Sequence, residues 1–95
     1  LIFKKVNKNI FPAIKLKKIM NQYPSTPIIV NAANEILVDQ FLKEKIGFLD
    51  INRIIMNILK DSNYRKYAIK KPKNINEINL IDMWARSKTL RILKK

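Results

Sequence analysis

The stretch from Pro24 to Leu42, PSTPIIVNAANEILVDQFL, constrains this chain more than any other. Ser25 or Thr26 suits a helix N-cap, and Pro27 suits the first helical position, where its missing N–H costs nothing. Beyond it Ile29, Ala32, Ala33, Ile36, Leu37 and Phe41 recur at the spacing of one helical face, with Val30 and Val38 widening the stripe. A helix from Pro27 to Lys43 would span roughly 25 Å, the width of a small domain. Inside this greasy run sit Asn31, Asn34 and Glu35. A buried amide or carboxylate must find a partner or cost about 1–3 kcal/mol, so this cluster reads as a satisfied polar network tying the helix to neighbouring loops or to a missing domain, with a direct substrate contact as the alternative.

The remainder of the chain offers more helices for that one to pack against. Pro12 opens a segment to Asn21 with Ala13, Leu16, Ile19 and Met20 on one side. Tyr23-Pro24-Ser25-Thr26-Pro27 interrupts it. After Leu42, the Lys-Glu-Lys run and Gly47, the only glycine, end the central helix. Asp50 is a suitable N-cap for a third helix, in which Ile51, Ile54, Ile55, Ile58 and Leu59 follow the helical period without a gap. Residues 61–73 are polar and read as a long loop. Asn74 and Glu77 have capping-box spacing and start a fourth helix whose inner face is Ile78, Ile81, Trp84, Ala85, Thr89 and Ile92. The expectation is an all-α fold: a four-helix bundle over 11–95, preceded by the end of a short extended linker over 1–10.

Composition limits the chemistry. With 95 residues, 47% of them hydrophobic, the chain can build one small core. It has neither cysteine nor histidine, which excludes disulfides, zinc sites of the usual donor set, Ser-His-Asp triads and Cys-His pairs within it. One glycine cannot form a phosphate-cradling GxGxxG or Walker loop. Glu35 and Asp39 are i, i+4 neighbours, but two carboxylates without a further nearby ligand make a poor hard-cation site. No apolar run approaches 18 residues free of charge, as a membrane span needs. The start, LIFKKVNKNIF, lacks a signal-peptide core and an initiator Met, and reads as the continuation of something longer.

The net charge of +13 has two readings. One is a stand-alone basic helical module for nucleic acid, with Trp84 stacking on a base. The other is drift under A/T-rich codons, since Ile, Lys and Asn supply 44 of the residues. Lys outnumbers Arg sixteen to four and the excess is scattered, whereas phosphate recognition favours Arg and clustering. The second reading is preferred. Likewise Trp84, spaced with Ile81 and Ala85, reads as core.

The order of the motifs resembles a known family. Leu1-Ile2-Phe3 is followed by Phe11-Pro12-Ala13-Ile14-Lys15-Leu16, then Pro27 to Val30 leading into Asn31-Ala32-Ala33-Asn34-Glu35. Phe41-Leu42, Lys45-Ile46-Gly47-Phe48-Leu49-Asp50-Ile51 and finally Ile81-Asp82 with Trp84-Ala85-Arg86 complete the set. This is similar to the C-terminal end of the 1-deoxy-D-xylulose 5-phosphate reductoisomerases. The resemblance departs from the family pattern at residues 20–26, which lack the glycines common there, and at 64–73, which look longer and more basic.

Membership would imply a C-terminal bundle attached to an NADPH-binding domain and a catalytic domain holding a divalent metal, Mg or Mn, in a homodimeric α/β enzyme of the non-mevalonate isoprenoid route. The expected location is a bacterial cytoplasm, or a plastid or apicoplast. The family's substrate- and metal-gripping residues lie upstream, so the resemblance carries no catalytic, cofactor or metal residue onto this chain. It leaves Asn31, Asn34 and Glu35 as a buried polar tie to the neighbouring domain.

Overall fold

The structure is a computed structural model that describes Lys18 and residues 20–94. The expected linker over 1–10, and nearly all of the helix expected from Pro12 to Asn21, lie outside the described residues. Among those described, four helices and no strand are found: α1 Thr26–Leu42, α2 Phe48–Leu59, α3 Tyr64–Ala68 and α4 Ile75–Lys94. The all-α expectation holds.

Burial follows the periodicity. Ile29, Val30, Ala32, Ala33 and Leu37 of α1 meet Ile51, Ile54, Ile55 and Ile58 of α2 and Ile81 and Ala85 of α4 in a single core, joined by Tyr64 and Ala68 of α3. α1 packs chiefly on α4, and α2 closes the pair. Alanines at 32, 33 and 85 leave little bulk between the helices, which favours close approach. α1 and α4 run in the same sense: Ser25 N donates to Ala68 O (2.9 Å) just before α4 begins, and farther along Glu35 of α1 meets Arg86 of α4. The stripes are narrower than expected at their ends, with Phe41 and Ile78 at the surface.

Four local readings are corrected. First, 61–73 is not simply a loop. The short α3 forms because Tyr64 and Ala68, four residues apart, both insert into the core. Second, neither Ser25 nor Thr26 caps α1 with its side chain. The Ser25 hydroxyl donates to Lys70 O, and the Thr26 hydroxyl pairs with the Tyr64 hydroxyl at 2.6 Å, both fully buried residues finding tertiary partners instead.

Third, Gly47 does not end α1. Glu44 takes the left-handed conformation, φ 59°, with Lys45 N donating to Gln40 O and Glu44 N to Phe41 O, both at 2.9 Å. That is a Schellman stop with a non-glycine residue at its strained position. Fourth, Gly47, extended at φ −86° and ψ 165°, is the N-cap of α2. Asp50 sits three residues in and its carboxylate accepts from Gly47 N at 2.7 Å. The α4 start matches its reading more closely: Glu77 N donates to Asn74 Oδ1 (3.0 Å), while Glu77 Oε1 accepts from Lys73 N (2.8 Å) rather than from Asn74.

Candidate functional site

The polar cluster of α1 lies on the side turned away from the core. Residues at 29, 30, 33 and 37 face inward, so 31, 34 and 35 fall on the opposite arc of the helix. Asn31, Asn34 and Glu35 are all exposed in the domain itself. They therefore form no part of the bundle's own buried network, and every described buried side-chain polar atom is satisfied without them.

What organises this face is Arg86, a residue the sequence singles out only as part of the Trp84-Ala85-Arg86 block. Its guanidinium reaches Asp82 Oδ2 from Nε at 2.8 Å and Glu35 Oε1 from a terminal nitrogen at 3.3 Å, so it joins α4 to α1. Asn31 Nδ2 donates to Glu35 Oε2 at 3.2 Å, extending the chain Asn31–Glu35–Arg86–Asp82. The hydrogen bonds to Asp82 and then to Glu35 hold the guanidinium above its ordinary pKa, so it stays charged at any accessible pH. Asn34 stands beside this chain with no side-chain hydrogen bond among the described residues. An i+4 spacing from Asp82 to Arg86 is visible in the sequence; the reach to Glu35 needs the two helices in register.

The other candidates resolve into structural roles. Asp39 pairs with Lys43 at 3.0 Å rather than with Glu35, and no group of three or more acidic, His or Cys side chains suited to a metal occurs among the described residues. Trp84 is half-buried and stacked on Tyr67, ring centroids 4.8 Å apart and planes at 14°, so one of its two faces is occupied within the fold. Lys88 closes on Asp61 at 2.6 Å, and that contact is the main cause holding the Asp61 carboxyl below the ordinary carboxylate pKa. No described helix is long and apolar enough to cross a membrane. The exposed polar face with Arg86 at its centre is thus a chain of ion pairs and hydrogen bonds that joins α1 to α4.

Comparison with known proteins identifies the family. The profile of the DXP reductoisomerase C-terminal domain matches residues 1–88. The 1-deoxy-D-xylulose 5-phosphate reductoisomerase of Prochlorococcus marinus subsp. pastoris is 38% identical over 96 aligned residues, covering 100% of this chain and 23% of that protein. The enzyme of Acetivibrio thermocellus is 34% identical over 95 residues, 99% of this chain and 24% of its own length. That of Pelagibacter ubique is 38% identical over 84 residues, 86% of this chain and 22% of its own. No solved structure matches the chain at a significant level. The chain thus spans less than a quarter of the relatives it matches. On a match over nearly all of its length and on a helical core that fits it, this chain belongs to the DXP reductoisomerase C-terminal domain family.

Proposed function

We propose that this chain is the C-terminal helical domain of an enzyme that converts 1-deoxy-D-xylulose 5-phosphate to 2-C-methyl-D-erythritol 4-phosphate with NADPH and a divalent metal, Mg or Mn, acting as a homodimer in isoprenoid biosynthesis. Within it the bundle is a brace. It holds its shape through its own core and docks on the catalytic part through Asn31, Asn34 and Glu35. The observation that carries this reading is the exposed amide-and-carboxylate face of α1, prearranged by Arg86 and outside the bundle's buried core.

The residues present do not fit either cofactor. A dinucleotide pyrophosphate needs a glycine-rich turn at a helix start, and the chain has one glycine, which caps α2 with its own N–H turned to Asp50. A hard divalent cation needs several converging oxygens, and the described carboxylates are each spent on a neighbouring cation or cap or stand apart. Both groups belong to the remainder of the protein, and no step of the reaction is assigned to these residues. Nothing favours the stand-alone nucleic-acid module, and one face of Trp84 is already taken by Tyr67.

The test is Asn34→Ala in the full-length protein. Lowered melting temperature or turnover is the expected result; unchanged values of both would remove the tie. The 95-residue chain alone, given substrate, metal and NADPH, should oxidise no NADPH, and measurable oxidation would overturn its role as a brace.

A further inference from the structure

α4 carries a second apolar line that the core does not use. Leu80, Met83 and Leu90 are 61%, 62% and 50% exposed on the side opposite Ile81, Ala85 and Thr89. With the exposed Ser87 between them they recur at steps of three, four and three residues. That alternation of threes and fours is the spacing of a seam that packs along another helix, and a serine in its middle allows close approach. Exposed leucines scattered singly need no account, but three apolar side chains in helical register over about 15 Å form a stripe.

Charge indicates what covers it. Arg91 and Lys94 are exposed along the C-terminal half of the stripe, and neither has an ion pair among the described residues. The acids of α4 are engaged elsewhere, Glu77 with Lys73 N and Asp82 with Arg86. A second copy would oppose one cationic border with another, on chains of net charge +13 each. The stripe also lies on the α4 surface to which Arg86 ties Glu35, so it adjoins the polar face of α1. More than three quarters of each relative's length lies outside the matched region, ample to supply a covering element.

We infer that Leu80, Met83, Ser87 and Leu90 form the apolar half of the docking surface whose polar half is Asn31, Asn34 and Glu35, and that the stripe receives an acid-bordered amphipathic helix from the catalytic part of the same polypeptide. This rests on the reading given under the proposed function. The contact buries the stripe, sets its Asp and Glu against Arg91 and Lys94, and gives the brace an apolar grip that amides alone lack.

The experiment uses the full-length protein with Met83→Cys, and Ser62→Cys in an exposed turn as the control. This domain has no cysteine of its own, so modification by a maleimide is read on the two peptides by mass. The thiol introduced at position 83 should react at least about tenfold more slowly than the one at position 62. A benzophenone carried on the M83C thiol should crosslink to a helix upstream of this domain. Adding Arg91→Glu and Lys94→Glu should restore most of the lost reactivity by placing acid against acid.

Free labelling at position 83, crosslinks to residues 1–17, or crosslinks to a second copy would each overturn the inference, and protection indifferent to the charge reversal would overturn its acidic partner. Reductoisomerase turnover is measured on the same samples. An active M83C enzyme that labels freely at that position sinks the seam alone, whereas an inactive wild type sinks the proposed function.

Discussion

Thr26 Oγ1 and Tyr64 OH lie 2.6 Å apart in the interior, joining the first residue of α1 to the first residue of α3 across 38 positions of sequence. Burial pushes the Tyr64 phenol above its ordinary pKa, with the Thr26 hydrogen bond acting in the opposite direction. Together with Ser25, which donates to Lys70 O, this pair fastens the loop between α2 and α4 to the base of the central helix.

Tyr64→Phe should cost about 1–2 kcal/mol in chemical denaturation, because it strands the Thr26 hydroxyl in the core. Adding Thr26→Val should recover much of that loss, since neither partner is then left unsatisfied. A double variant as unstable as the sum of the two singles would show that the hydroxyls do not depend on one another.

Glu44 occupies a left-handed position that a side chain enters at a cost. Glu44→Gly should therefore raise stability by about 0.5–1 kcal/mol, seen as a higher midpoint at unchanged slope. Glu44→Val should lower it, as branching at Cβ fits this conformation worst. A stabilising valine would contradict the assigned turn.

Asp61 gives stability a defined pH dependence. Its carboxyl is held below the unfolded value of 3.8 chiefly by the Lys88 hydrogen bond. A lowered pKa in the folded state means that the stabilisation is complete above the unfolded value and is lost as pH falls through the folded one. Asp61→Asn should therefore cost about 1 kcal/mol near neutrality, moderated because both groups keep some solvent contact. The gap between variant and wild type should close progressively as the medium is taken below about pH 4. A gap that is constant down to strong acid would contradict an ionic contribution.

Arg86→Ala separates what the bundle needs from what docking needs. Within the 95-residue chain it removes partly exposed ion pairs to Glu35 and Asp82, a loss of roughly 0.5 kcal/mol. In the full-length protein the same change should lower the melting temperature clearly more, because Glu35 and Asn31 lose their arrangement at the proposed contact. Equal shifts in both settings would confine Arg86 to the bundle.

Read alone, the order of the residues determined the helical class, the inner faces and the start of α4. The period of Ile29, Ala33 and Leu37, of Ile51, Ile54, Ile55 and Ile58, and of Ile81, Ala85 and Thr89 leaves one way to bury a stripe, and removing apolar surface from water is the largest force favouring the fold. The Asn74–Glu77 spacing likewise acts within one turn and needs no distant partner. What only the tertiary structure decided are the contacts between remote segments. Ser25 and Thr26 give up capping for Lys70 and Tyr64, α3 forms because the core accepts Tyr64 and Ala68, and Arg86 finds Glu35 once α1 and α4 lie side by side. Local pattern encodes which face turns inward. It does not encode which far side chain waits there, because that depends on helix register, set by the packing of the whole domain.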